Sequence, residues 1–331
     1  MGALISLVIV LVLLFLPIAG IQVAGMYGLF GVFVPYVAFL IFGLGIIYRV
    51  SRWAMSPVPF RIPTTCGQQK SLPWIKSNNL ECPHNIWGVL GRMTLEVLFF
   101  RSLFRNTKTE VRDGPKVIHG SEKWLWLGAM AFHWTFVLVF LRHLRFFIEP
   151  VPSFVLFLQA VDGFFQIGVP VLYATSVIFL VAVSYLLFRR IFSAQVRYIS
   201  LASDYFPLLL ILGIGTTGFL LRHFLKTDVV GVKELGMGLI TFQPMAEPER
   251  IHVLFYSHFF LVCILFAYFP FSKLVHAAGV FLSPTRNLAS NNRMRRHINP
   301  WNYPVKVHTY AEYEAEFGEK MRNAGLPVEK E

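Results

Sequence analysis

Trp124–Phe147, WLWLGAMAFHWTFVLVFLRHLRFF, decides the fold together with Leu254–Gly279, LFYSHFFLVCILFAYFPFSKLVHAAG. Each stretch is apolar enough to cross a bilayer, and each holds two histidines. His133 and His143 lie ten residues apart; His258 and His276 lie eighteen apart. An imidazole in hydrocarbon is costly, so it marks a functional site by default. Four of them, two near each end of the membrane, are the ligands needed for two stacked haems b of the bis-histidine type.

The rest of the chain agrees with a membrane setting. Hydrophobic residues make up 55% and charged residues 15%, and the mean hydropathy is +0.58. We read six spans: Ala3–Gln22, Leu29–Tyr48, Trp124–Phe147, Phe165–Phe188, Tyr205–Leu221 and Leu254–Val280. Only helices or closed barrels satisfy the backbone in lipid. The expected fold is therefore an all-α integral membrane protein, a six-helix transmembrane bundle. The first span resembles a signal peptide in length. It lacks a basic flank and a second span follows at once, so it reads as a retained helix. The organisation is two spans in 1–48, a polar segment with an amphipathic helix in 49–121, a four-helix di-haem core in 122–280 and a tail in 281–331.

Thirty Lys and Arg against eighteen Asp and Glu give a net charge of +12. The excess follows the loops, which excludes a nucleic-acid surface. Arg49, Arg52, Arg61, Lys70, Lys76, Arg92, Arg101, Arg105, Lys108, Arg112 and Lys116 lie between spans two and three. Arg189, Arg190 and Arg197 lie between spans four and five, and Arg286, Arg293, Arg295 and Arg296 in the tail. The positive-inside rule puts these regions and both termini in the cytoplasm, at the inner membrane. The loops around Val151 and Asp228 then face outward.

Three cysteines are too few for a disulfide framework. Cys66 and Cys82 read as reduced thiols on the cytoplasmic side, and Cys263 as a small apolar residue in span six. IWGVLGRMTLEVLFFRSLFRN is apolar but carries Arg92, Glu96 and Arg101. It reads as an amphipathic helix at the interface, with a seventh span as the rival. The tail joins a basic, aromatic run, NRMRRHINPWNYP, to a helical one, YAEYEAEFGEKMRNAG. It suits a cytoplasmic partner or anionic lipid.

Spans three and six run in opposite directions, so depth pairs His143 with His258 and His133 with His276. The spacings correspond to helix rises of about 15 Å and about 27 Å. Eighteen residues return to one helix face, whereas ten fall about 80° off it. Span three must present its two ligands from different faces, and Pro270 is expected to bend span six. Hydrogen-bonded core histidines of a transporter, or a passive anchor, are the competing readings. For a quinone site the outer rim offers Arg142, Arg145, Arg222, His223 and Asp228, and the arginines are also candidates for haem propionates or for plain interfacial anchoring. His223 and His252 read as wet rim histidines.

The His-x9-His and His-x17-His pattern resembles the gamma-chain family of membrane-bound nitrate reductase, over roughly Trp124–Val280. Within that family, CGQQKSLPW, the amphipathic segment and SPTRNLASNNRMRRHINPWNYPVKVHTYAEYEAEFGEKM look like the DsrM type, nearly end to end. The resemblance implies two haems b on His133, His143, His258 and His276, and electron exchange with menaquinone. It also implies partners: a cytoplasmic iron–sulfur subunit of heterodisulfide-reductase type (DsrK-like), a periplasmic multihaem cytochrome c (DsrJ-like), and further membrane and periplasmic subunits (DsrP-like, DsrO-like). Subunits of a nitrate reductase or of a methanogen-type heterodisulfide reductase are the alternatives.

The orientation is testable from the sequence alone. A membrane-impermeant thiol reagent added to intact spheroplasts is expected to leave Cys66 and Cys82 unlabelled. Rapid labelling would invert the topology.

Overall fold

A computed structural model describes residues 1–56, 67–105, 107–112, 114, 116–164, 166–167, 171–243, 248–295, 304 and 307–329. Cys66, Arg61, Arg296 and Phe165 lie outside these described residues. The chain forms α1 (Gly2–Ala24), α2 (Val34–Ala54), α3 (Ile86–Phe99) and α4 (Arg101–Phe104). A β1–β2 hairpin follows (Thr107–Arg112, Lys116–Ser121), then α5 (Lys123–His143), α6 (Ser153–Phe164), α7 (Ala174–Phe192) and α8 (Ala194–Ile199). The remaining helices are α9 (Ala202–His223), α10 (Val229–Thr241), α11 (Val253–Tyr268), α12 (His276–Gly279) and α13 (Tyr310–Asn323).

Six helices are long and apolar enough to cross a membrane: Gly2–Ala24, Leu29–Ala54, Lys123–Phe146, Ala174–Phe192, Ala202–His223 and Val253–Phe271. Their apolar side chains face outward as well as inward; Leu4, Val8, Val12, Phe39, Leu40 and Val181 are all exposed. A soluble fold would hide such a surface, whereas lipid solvates it. The chain is a multi-pass membrane protein.

Two expected spans are shorter than the sequence reading. The fourth begins at Ala174, not near Phe165, and α6 is a separate short helix. The intervening sequence carries Gly168 and Pro170, poor helix residues. The sixth ends at Phe271, not at Val280. Pro270 lacks a backbone N–H, and past it Ser272 turns extended (φ −116°, ψ 177°). The Ser272 hydroxyl then caps a new short turn by accepting from Leu274 N at 3.2 Å. Pro270 therefore stops the helix, where a bend was expected, and His276 sits on a separate segment.

α5 packs on α7, α7 on α9 and α9 on α11, while α1 lies against α9 and α11, and α2 against α11. Val10, Leu210 and Leu261 form one buried cluster between α1, α9 and α11. Phe179, Val183 and Ile211 form another between α7 and α9, with Phe132 and Phe136 of α5 against it. α7 and α9 thus link α5, which carries His133 and His143, to α11, which carries His258.

One end of the bundle is basic, and there the polar segment folds on the tail. The Asn85 side chain accepts from Gly88 N at 2.8 Å and starts α3. α3 is 14 residues long, short of the ~20 residues a span needs, and is not among the six helices long and apolar enough to cross a membrane. Phe100, in the left-handed region (φ 48°), ends it. Trp126 and Trp134 of α5 donate from Nε1 to Phe99 O (2.7 Å) and Leu98 O (3.0 Å). Glu96 pairs with Arg286, Arg92 donates to Thr285 O at 2.9 Å, and Ser290 N donates to Pro83 O at 2.6 Å. The start of the tail is thus part of the folded end.

Burial works against the charge on Glu96, but bonds from the Ser102 hydroxyl and N–H, with Arg286, outweigh it and hold the carboxyl below its ordinary value. A carboxyl lowered on folding contributes stability above its unfolded pKa and loses it as pH falls through the folded one. Amide protection in 86–99 and 283–292, corrected for the intrinsic pH dependence of exchange, should therefore fall together on acidification below the usual carboxylate range. Glu96→Gln should show the lower protection already at neutral pH.

Candidate functional site

The four histidines come together in the two pairs expected from depth. The His143 and His258 rings face each other at 6.4 Å between centroids, 22° from parallel. The His133 and His276 rings lie at 6.1 Å and 80°. A metal–imidazole bond is about 2 Å, and the ring centre lies about 1 Å beyond it. Two rings that share one ion thus stand about 6 Å apart. Both pairs fit that spacing. Among the described residues no group of three or more His, Cys, Asp or Glu gathers around a metal position. Two facing imidazoles suit an iron whose other ligands come from a macrocycle.

The tautomers fit as well. His133 Nδ1 bonds Ala129 O at 2.8 Å and His143 Nδ1 bonds Val139 O at 2.7 Å. His276 Nδ1 bonds Lys273 O at 2.7 Å. His258 Nδ1 is shared by Ile214 O at 3.1 Å and Thr217 Oγ1 at 3.0 Å. A carbonyl can only accept, so each Nδ1 carries the proton and each Nε2 keeps its lone pair for a metal. All four rings are oriented this way.

Each anchor has a local cause. On the continuous helix α5 the histidines reach back one turn to carbonyls at i−4, so His133 and His143 need no partner helix. His258 reaches across to α9, and Gly218 makes this possible: a Cβ there would lie 3.0 Å from His258 Cε1. His276 uses the 3₁₀ turn created by Pro270 and Ser272. That turn also removes the mismatch between the two spacings, because the separation of His258 and His276 is no longer the rise of one helix. Phe100 and Phe132 both stand edge-on to His133 at 4.9 Å and wall the basic-end pair. At the opposite end α10 closes on the turn after His143. A Cβ at Gly236 would lie 2.4 Å from Phe146 O, so only glycine fits.

The arginines expected at the outer rim are already engaged. Arg142 pairs with the buried Asp162, whose carboxylate also accepts from Thr175 N (3.2 Å) and Thr175 Oγ1 (2.5 Å). Arg145 donates to Gln159 Oε1 at 2.6 Å. Arg222 donates to the Tyr173 hydroxyl at 2.8 Å, and the Tyr173 ring centre lies 5.0 Å from the Arg142 guanidinium carbon and 5.3 Å from that of Arg222. His223 is not a wet rim histidine: it is 7% exposed, its Nδ1 donates to Val171 O at 3.1 Å, and its Nε2 has no partner. Asp228 stands apart from this group. It caps α10 and pairs with Arg250, and the Gly231 N–H chiefly holds its carboxyl below the ordinary value.

Sequence reasoning missed Asp162, Tyr173 and Thr217. Asp162 could have been found, since a lone carboxylate in the apolar run SFVLFLQAVDGF follows the same rule that singled out the histidines. Thr217 carries no such signal. Cys82 is buried and its thiol donates to Gly67 O at 3.0 Å, so silence towards a thiol reagent says nothing of its side of the membrane.

Six spanning helices with two imidazole pairs at different depths define a membrane protein of cytochrome b type. Residues 84–296 match the family model described as nitrate reductase gamma subunit, and the chain belongs to that family. It is 46% identical over 270 residues to a protein of Archaeoglobus fulgidus named Hdr-like menaquinol oxidoreductase cytochrome b-like subunit, with 80% of each chain covered. A protein of the same name from Archaeoglobus profundus is 43% identical over 270 residues, again with 80% of each chain covered.

The pairing yields a mutational pattern. His143→Ala and His258→Ala should each lose the same haem, and His133→Ala and His276→Ala the other. The near-parallel rings of the first pair should give a rhombic low-spin resonance signal, and the crossed rings of the second a strongly anisotropic one. Loss of a common haem in His143→Ala and His276→Ala would refute the pairing.

Proposed function

We propose that the chain is a di-haem cytochrome b, one haem on His143 and His258 and the other on His133 and His276. It exchanges electrons between menaquinol and a cytoplasmic iron–sulfur subunit of heterodisulfide-reductase type. The observation that carries this reading is the pair of imidazole pairs, each at the spacing of one shared iron, with every Nδ1 already tied to an acceptor. The relatives' printed name, a menaquinol oxidoreductase subunit, supports the quinol as electron donor. The motif resemblance supports the DsrM type, with DsrK-like, DsrJ-like, DsrO-like and DsrP-like partners in dissimilatory sulfur metabolism.

Bound haem would supply one-electron storage at two depths, about 15 Å apart along α5 and thus half the ~30 Å hydrocarbon core. The protein supplies everything else. The Nδ1 bonds fix the rings and raise their basicity. Phe100 and Phe132 wall the His133 side of the basic-end pair. The Arg142–Asp162 pair and Tyr173 brace the other end, where a quinol must lose two protons with its two electrons. His223 and Arg222 stand there with polar groups able to receive and orient a hydroxyl. The loop charges support placing the basic end, and with it His133 and His276, on the cytoplasmic side. The tail past the docked 283–292 segment then offers α13, held by a Thr309–Glu312 capping box, to a cytoplasmic partner.

Two measurements test this. A menaquinol analogue should reduce both haems of the purified protein, and His143→Ala should slow reduction of the one that remains. A protein whose haems are reduced only by dithionite would remove the quinol. Orientation is read with Lys76→Cys at the basic end and Ser153→Cys at the other. An impermeant reagent should label only the second in intact spheroplasts, and the reverse pattern would place the quinol side in the cytoplasm.

A further inference from the structure

The basic end holds a cavity of about 480 Å³ beside His276, lined by Arg49, Ser203, Tyr268, Ser272, Lys273 and His276 among others. Such a volume is in the usual range of a ligand site. Its chemistry is lopsided. Lys273 bonds Asp204 at 2.5 Å, and Arg190 stands 4.0 Å from the same carboxylate. Asp204 thus serves two cations and leaves nothing for a third.

Arg49 is that third cation. It lies near the end of the second span, and its Nε is buried without a hydrogen-bond partner. Its guanidinium lies 6.0 Å from the Trp53 ring centre, and no described carboxylate pairs with it. A guanidinium is a rigid fork of donors matched to two oxygens. Leaving one of those donors buried and unmet costs free energy. Arg49 also lies outside residues 84–296, the segment that matches the family. Its place at this cavity is therefore a contribution of the amino-terminal spans of this chain.

We infer that this cavity is an oxyanion site, in which Arg49, with Lys273 at the rim, binds a carboxylate or phosphate next to the basic-end imidazole pair. Two sources carry that chemistry: a propionate of the basic-end haem, and the headgroup of an acidic phospholipid in the same leaflet. The first rests on the haem reading above; the second does not. In the first case Arg49 is a positioning residue that also raises the potential of one haem, because a nearby cation favours the reduced, less positive centre.

Arg49→Gln and Arg49→Lys in the full chain, purified in mild detergent, separate the cases by two readouts. Optical redox titration follows each haem, and native mass spectrometry follows retained phosphatidylglycerol. A propionate source predicts a downward shift of one midpoint in Arg49→Gln, no shift of the haem on His143 and His258, and partial recovery in Arg49→Lys. A lipid source predicts loss of bound phosphatidylglycerol with both midpoints unchanged. If the glutamine variant does not accumulate, Arg49→Lys decides, since it keeps the charge but loses the fork and should move the same readout more weakly. Unchanged midpoints together with unchanged lipid overturn the inference. A wild-type protein without haem defeats the haem reading yet leaves the lipid readout intact.

Discussion

The structure depends on one recurring interaction: an imidazole Nδ1 held by an acceptor, almost always a main-chain carbonyl. In water such a bond contributes little, because water offers the same partner. In the membrane core there is no such competitor, so the bond fixes the tautomer and the ring plane together. His133 and His143 obtain it within α5, His276 from the turn after Pro270, and His258 from α9. The last case needs two helices and a glycine. It makes the contact of α9 with α11, and so the position of Gly218, part of the site.

The other features serve this arrangement at its two ends. At the basic end the polar segment returns to α5, places Phe100 against His133, and is clamped by Glu96–Arg286 and by the bonds to Thr285 and Ser290. At the other end α10 presses Gly236 on the turn after His143, and Asp162 holds Arg142. Ion pairs of this kind are buried or half-buried, so each is costly to break on one side only. They act as fixed braces around the rings. The amino-terminal helices add packing on α9 and α11 and bring Arg49 to the cavity beside His276.

Much of this was legible in the chain. The six apolar runs stand out because few charges interrupt them, and α1, α2, α3, α5 and α9 begin within a few residues of the expected positions. The pairing of His143 with His258 and His133 with His276 followed from depth alone, since antiparallel helices equate the late residue of one with the early residue of the other. What was not legible depends on three-dimensional partners. Pro270 could bend or stop a helix, and only the turn made by Ser272 decides for stopping. His223 reads as exposed by its place at the end of a span, yet Tyr173 and Phe219 cover it. The tail from about Ser283 reads as a soluble segment, yet the Arg92 side chain and the Pro83 carbonyl hold its start through bonds to its main chain that no sequence pattern announces.

The most direct test of the central claim is the haem count of the purified chain, taken with the spin state of its ferric iron. The account predicts two haems b per polypeptide, both low-spin, because each iron has an imidazole on either side. One haem per chain would contradict it, as would a high-spin signal from an iron with a single axial histidine.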